Sequence, residues 1–252
     1  MPLLRTDGIV LQTWNLGEHD RLITLFTREH GRLAAVARGA RRIRSRFAGA
    51  LELFTWGEAV GFEREGRALV RLDHFDIRRP FRRLREDLEC LGQGARMIEA
   101  VARLTAERDA QPACFALLLR SLRALDAGAP PARVQLAFAL RLLDVLGHRP
   151  RLDRCGRCGR PVSTQGVAFD AAEGSVVCGQ CRGGGPGLAP AVAAALRGLQ
   201  AASWEARLGA RLAPAVEQAA AAALDDYFAA LIGAPLRAPR FLARTRPPRP
   251  EG

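Results

Sequence analysis

The chain has 252 residues and a formal net charge of +12, enough length for one large domain or two to three small ones with a real core. A basic balance this large favours polyanionic partners, nucleic acid or an anionic membrane, through long-range attraction. The basic residues are all arginine, so there is no phosphate-loop or Schiff-base lysine, and an ordinary P-loop nucleotide hydrolase is excluded. No run approaches the roughly 18 apolar residues of a spanning helix, and the opening MPLLRTDGIVLQ lacks an apolar signal core. Both point to a cytoplasmic protein without a membrane partner.

The first part of the chain, residues 1–79, reads as strands. Gly8 to Leu11 begins one. Asp20 to Thr27 is a second, with Leu22, Thr24 and Phe26 on one face. The turn Arg28 to Gly31 leads into Leu33 to Ala37. Leu51 to Phe62 is a fourth, and Glu63 to Gly66 turns into Ala68 to Phe75. Strand runs at this spacing, divided by glycine-bearing turns, suggest a small barrel of the OB type. The connection between the third and fourth strands, Arg38 to Phe47, carries five arginines from Arg38 to Arg46 and no acid.

After Pro80 the apolar period changes from two to about 3.6. Leu84, Leu88, Leu91, Ala95, Ile98 and Leu104 mark a helix over 81–107. Pro112 opens another to about Leu125. Residues 132–146 are apolar nearly all round, the pattern of a central buried helix. Gly147 is a good residue to end it. Two Ala-rich helices follow near 190–203 and 214–232, each with proline in its expected first turn. Gly183 to Gly187 reads as a flexible joint. The expected fold class is therefore α+β and multi-domain: an OB-type barrel (1–79), a helical domain in two parts (80–150 and 183–242), a cysteine module inserted at 151–182, and a disordered tail over 243–252.

Cys155-Gly-Arg-Cys158 and Cys178-Gly-Gln-Cys181 form a C-x2-C…C-x2-C arrangement, the spacing of a zinc ribbon. Two residues between cysteines let a tight turn aim both sulfurs at one metal. Gly156, Gly159 and Gly179 suit turns that need positive φ. Gln165 to Phe169 and Ser175 to Val177 supply the strands of a hairpin. Four thiolates close the coordination sphere, so one structural Zn2+ is expected; the alternative is a relic that holds metal weakly. The H-x-E signature of a zinc deaminase is missing. Cys90 and Cys114 sit in apolar helical contexts and read as small buried hydrophobes.

Arginines also cluster at 78–85, around the cysteines and at 237–249. In the 78–85 run, Glu86, Asp87 and Glu89 are placed to neutralise part of the charge by helical pairing. Loop 38–46 stands out because it lacks acids and ends in Phe47, which could stack or anchor it. OB folds bind single strands with a basic groove and aromatic platforms. Trp14, Phe54 and Trp56 are further platform candidates, although core positions suit each of them better. For catalysis there is little: His19, His30, His74 and His148 are scattered, and no G-x-S-x-G elbow exists.

Gly8-Ile9-Val10-Leu11 through Gly17-Glu18-His19-Asp20-Arg21-Leu22, then Leu25-Phe26-Thr27 and His30-Gly31, resembles the start of the RecO DNA repair family. Ala37-Arg38-Gly39-Ala40-Arg41-Arg42 with Ser45-Arg46, Leu146-Gly147, Phe169, and Leu231-Ile232-Gly233 with Pro235-Leu236-Arg237 continue the likeness from about residue 3 to 242. Two departures stand out. The usual mix of Lys and Arg is all Arg here, and Ala238 stands where a serine is expected. The resemblance implies an N-terminal OB barrel, a helical domain with an inserted zinc module, and binding to single- and double-stranded DNA. It further implies annealing of complementary strands and, with RecR, assistance to RecA on DNA coated by single-strand-binding protein. RecR and the acidic tail of single-strand-binding protein are implied partners. No catalysis is implied, and the protein would work on the nucleoid. The DNA contacts are expected from Arg38, Arg41, Arg42, Arg44 and Arg46, helped by Arg5 and Arg21. The rival is a zinc-ribbon interaction module whose basic patches dock acidic protein tails; a nuclease would need a carboxylate cluster that the sequence lacks.

Overall fold

The computed structural model describes residues 2–63, 69–163, 165–183 and 187–238. These fall into two compact units, Met1–Ala127 and Gly128–Gly252. The first is built on five strands: β1 (Leu3–Leu16), β2 (Asp20–Thr27), β3 (Gly31–Ala37), β4 (Trp56–Phe62) and β5 (Val70–Arg79). They close into a barrel in the order β1-β2-β3-β5-β4. The β3–β5 pairing is parallel and the other four are antiparallel. Closure leaves no open edge.

Alternation along the strands decides what fills the barrel. Ile23, Leu25, Leu33, Ala35 and Ala37 point inward and join Val10, Leu72 and Phe75 in one core. Phe26 is also fully buried, but on the outer face, where its ring lies 6.2 Å from that of Phe115. Thus Leu22, Thr24 and Phe26 do share a face, and it is the outside of the barrel. The turn from β2 to β3 requires Gly31. Its φ is +63°, and an added Cβ would lie 2.0 Å from the Asp109 carbonyl oxygen.

The fourth strand is shorter than the sequence suggests. Residues 51–54 form turns. Phe54 adopts φ 72°, a left-handed conformation that breaks the strand. Its ring is fully buried and its N–H donates to the Val10 carbonyl at 3.0 Å. The segment is thus pinned to the barrel without extending the sheet. The helix expected over 81–107 is divided as well, into α1 (Arg83–Glu86) and α2 (Leu88–Leu104). Asp87 is extended, and its side chain accepts from the Cys90 N–H as the N-cap of α2. A capping aspartate starts a new helix where periodicity alone reads one. Helix α3 (Pro112–Asp126) completes this unit.

The second unit is centred on α4 (Pro131–Val145), buried on nearly every side, and Gly147 follows it with φ +80°. Against α4 pack α5 (Pro190–Ala201), α6 (Trp204–Gly209) and α7 (Pro214–Ile232). Helix α6 has no counterpart in the sequence reading. It is two turns at most, capped by Ser203, whose Oγ accepts from the Ala206 N–H at 3.2 Å. Between α4 and α5 lies the cysteine module, whose hairpin is β6 (Ala168–Asp170) and β7 (Ser175–Val177). Among the described residues no helix is long and apolar enough to cross a membrane. Residues 64–66 of the second hairpin turn, the centre of the 183–187 joint and the 243–252 tail lie outside the described residues.

Candidate metal centre and nucleic-acid interface

Each cysteine pair sits on a tight turn. The Gly159 N–H donates to the Cys155 carbonyl at 2.9 Å, and the Cys181 N–H to that of Cys178 at 3.0 Å. The hairpin brings both turns to one point, so that the four Sγ atoms lie within 4.8 Å of one another. Cys158 and Cys178 Sγ are 3.9 Å apart, close to the roughly 3.8 Å edge of a tetrahedron with metal–sulfur bonds of about 2.3 Å. The group could hold a metal ion, and a four-sulfur set leaves no position for substrate.

The three glycines of these turns do different work. Gly159 has the positive φ that the turn needs, whereas Gly156 is required for space. A Cβ there would lie 2.0 Å from Ser175 Oγ, because the Gly156 N–H donates to the Val176 carbonyl and draws the turn onto β7. Gly179 has no positive φ, so conformational freedom is not its role.

Backbone amides tune the thiols. The Cys178 N–H points at Cys155 Sγ from 3.4 Å. That bond and the amide of Cys158 bring the Cys155 thiol down to about 6. The amide of Cys181 lowers Cys178 in the same way. Cys181 is pushed up to about 12, chiefly by Cys178 and then by Cys158. A dication at the centre reverses this last effect, since it stabilises every thiolate. Cys90 and Cys114 are buried and each raised to about 11 by desolvation, as inert core thiols should be.

The module is clamped to its helices by side chains the sequence did not single out. Arg197 of α5 donates to the carbonyls of Leu152, Val162 and Ser163. Gln200 donates to Pro150. Tyr227 of α7 donates to the His148 carbonyl and meets Phe169 edge-on at 6.0 Å. No local pattern marks these residues, because their partners are tens of positions away.

Loop 38–47 is a succession of turns with its own hydrogen bonds: Arg42 N–H to Gly39, Ser45 to Arg42, and Ala48 to Ser45. It is fastened to the turn between β1 and β2. The Gly39 N–H donates to Asp20 Oδ1 at 2.8 Å, the Arg41 N–H to the His19 carbonyl at 2.9 Å, and the Arg41 guanidinium to the Gly17 carbonyl at 2.7 Å. Phe47 closes the loop by entering the barrel core, 2% exposed; it anchors the loop.

The seven arginines expected to touch DNA are not equivalent. Arg38, Arg42 and Arg44 are exposed, and no side-chain partner is found for them among the described residues. Arg41 is exposed and holds only a carbonyl. Arg46 pairs with Asp73 at 3.2 Å and lies over the Phe47 ring. Arg21 pairs with Glu52 at 3.1 Å. Arg5 is bound to Glu58, which raises the Arg5 guanidinium and lowers the Glu58 carboxyl. In the 78–85 run, Arg83 acts on Asp87 four residues on, as the helical spacing suggests, and two further arginines find acids outside the helix. Arg78 pairs with Asp7 and Glu58, and Arg79 with Asp126. Trp56 is partly buried with Arg78 and Arg123 over its ring, and Phe54 is in the core. Trp14 is 47% exposed, contrary to the core position its type suggests.

Two family models match this chain: Recombination protein O N terminal over residues 1–81, and Recombination protein O C terminal over residues 85–240. Curated relatives match over most of their length. A DNA repair protein RecO of Anaeromyxobacter sp. (strain K) is 41% identical over 98% of both chains. One of Myxococcus xanthus is 38% identical over 94% of this chain and 96% of its own. One of Symbiobacterium thermophilum is 42% identical over 74% of each. With the closed barrel, the helical unit and the four-cysteine module in the expected order, the chain belongs to the RecO family of DNA repair proteins.

Proposed function

We propose that this protein binds single- and double-stranded DNA through loop 38–46, anneals complementary strands without bond chemistry, and with RecR assists RecA on DNA coated by single-strand-binding protein. The observation that carries this reading is the set Arg38, Arg42 and Arg44. They are exposed and, among the described residues, unpaired, on a loop whose backbone is tied to the barrel. Guanidinium groups bind phosphate bidentately, and neutralising two backbones lowers the repulsion that opposes pairing. Base stacking then drives annealing, so no nucleotide is needed. Exposed arginines of the cysteine module, Arg151 and Arg154 among them, are candidates for a second strand. The centre is assigned to one structural Zn2+ on Cys155, Cys158, Cys178 and Cys181, because four thiols within tetrahedral reach suit that ion. RecR, the tail of single-strand-binding protein and a place on the nucleoid rest on family membership.

The test is annealing of complementary, fluorophore-labelled single strands by the zinc-loaded protein, without nucleotide, across a salt series. Acceleration that fades as salt rises is expected. No acceleration at any salt by folded, metal-loaded protein would overturn the reading and favour an adaptor that docks acidic protein tails.

A further inference from the structure

The outer face of β1, β2 and β3 changes character along its length. Toward one end, Ile9 and Phe26 stand in register and Phe26 is covered by Phe115 of α3. Toward the other end, past a bulge between Val10 and Gln12, Trp14 pairs with Leu22, Leu22 with Val36, and Val36 with Arg71. The neighbouring register, Thr13 with Ile23 and Ala35, leads into the barrel core, so the Trp14 row faces outward. Among the described residues no helix closes over it: Trp14 is 47% and Leu16 43% exposed, Leu22 and Val36 are half-buried, and Arg71 is exposed. This row ends three residues before Gly17, the turn to which the arginine loop is fastened. One end of the barrel therefore presents an aromatic and aliphatic strip beside Arg38, Arg41, Arg42 and Arg44.

We infer that the Trp14–Leu22–Val36 row is a stacking surface for the bases of single-stranded DNA, and that it gives the barrel a preference for single strands over duplex. The inference rests on the DNA-binding reading of loop 38–46 and deepens it. Exposed apolar surface bordered by arginines that pair with no acid among the described residues complements a chain with flat apolar faces on one side and phosphates on the other. A single strand offers both at once. A duplex offers its phosphates but keeps its base faces stacked inside, so it can engage the loop and not the row. An indole suits any base, because every base has a π-face.

The test compares binding of the intact chain to oligothymidylate, to an abasic strand of equal length and to a hairpin duplex. The variants are Trp14→Ala, Trp14→Phe and the double change Arg42→Ala, Arg44→Ala. Stacking on an aromatic contributes about 1–3 kcal/mol per base, so Trp14→Ala is expected to weaken oligothymidylate binding about tenfold. Duplex and abasic affinities should stay within about twofold of the parent, and the salt slope should not change, since no phosphate contact is lost. Trp14→Phe should keep most of the affinity. The parent should itself bind the abasic strand about tenfold more weakly than oligothymidylate, a readout that needs no variant to fold. Equal affinity of the parent for both strands overturns the stacking surface, as does a Trp14→Ala loss of the same size on all three ligands. If the double arginine variant leaves every affinity unchanged, the loop reading fails instead. If it weakens all three ligands while Trp14→Ala weakens none, the loop reading stands and the stacking surface falls.

Discussion

Gly156 shows how one missing side chain shapes the candidate metal centre. Its Cα faces Ser175 so closely that a methyl group would lie 2.0 Å from the hydroxyl. Gly156→Ala must push the first turn away from β7 and splay Cys155 and Cys158. The expected result is metal loss on purification and a lower melting temperature, measured by metal content and thermal unfolding. Gly179→Ala should be milder, because its nearest neighbour is 3.3 Å away. Proton competition is also a residue-scale effect. Metal needs all four thiolates; Cys155 is already near 6 and Cys178 lowered, but Cys181 sits near 12. Binding therefore releases protons at neutral pH, that of Cys181 among them. Affinity should climb as pH rises from 6 to 8, and competition with a chromophoric chelator across that range checks the direction.

At the scale of elements, the join between α1 and α2 depends on Asp87. Its carboxyl is held below the ordinary range, first by the Cys90 N–H, against an opposing desolvation effect. A carboxyl lowered in the folded state contributes stability that is full above the unfolded value of about 3.9 and lost as pH falls through the lower folded value. Asp87→Ala should thus lower the melting temperature at neutral pH, and the gap to the parent should close in acid. The cysteine module depends likewise on α5. Arg197 donates to three carbonyls of the module, and charged donors to part-buried acceptors are costly to remove. Arg197→Ala should destabilise this unit by about 1–3 kcal/mol, read by denaturant unfolding with metal bound. Arg197→Lys should restore little, since an ammonium cannot span three acceptors as a guanidinium fork does.

For the whole molecule, the +12 charge favours polyanions at long range, but the ion pairs decide where it acts. Single-strand affinity should fall with salt at a log–log slope of about −0.7 per phosphate contacted. Removing Arg42 and Arg44 together should flatten that slope by about 1.4. Arg5→Ala should change it far less, because Glu58 already neutralises that guanidinium. Titration of a labelled oligonucleotide at several salt concentrations separates these cases; equal flattening by Arg5→Ala and by the pair would place the contact surface elsewhere on the barrel.

Strand alternation, the change of period after Pro80 and the prolines that open α3, α4, α5 and α7 are local signals, which is why most of the fold could be read from the chain. The two C-x2-C pairs were legible for the same reason: a metal site built on tight turns has a fixed spacing. The break at Asp87 and the turn at Phe54 were not, because a cap and a left-handed residue compete with periodicity only once their backbone partners are in place. Nor could composition say which arginines are free. Arg5 and Arg21 find Glu58 and Glu52 at separations of 53 and 31 residues, and Trp14 stays bare while Phe26, on the same outer face, is roofed by a helix. The sequence by itself determined the family, the order of its parts and a four-cysteine set that could hold a metal. Only the tertiary structure decided which charges remain uncompensated and which apolar residues stay open, because barrel closure and helix packing bring distant residues together.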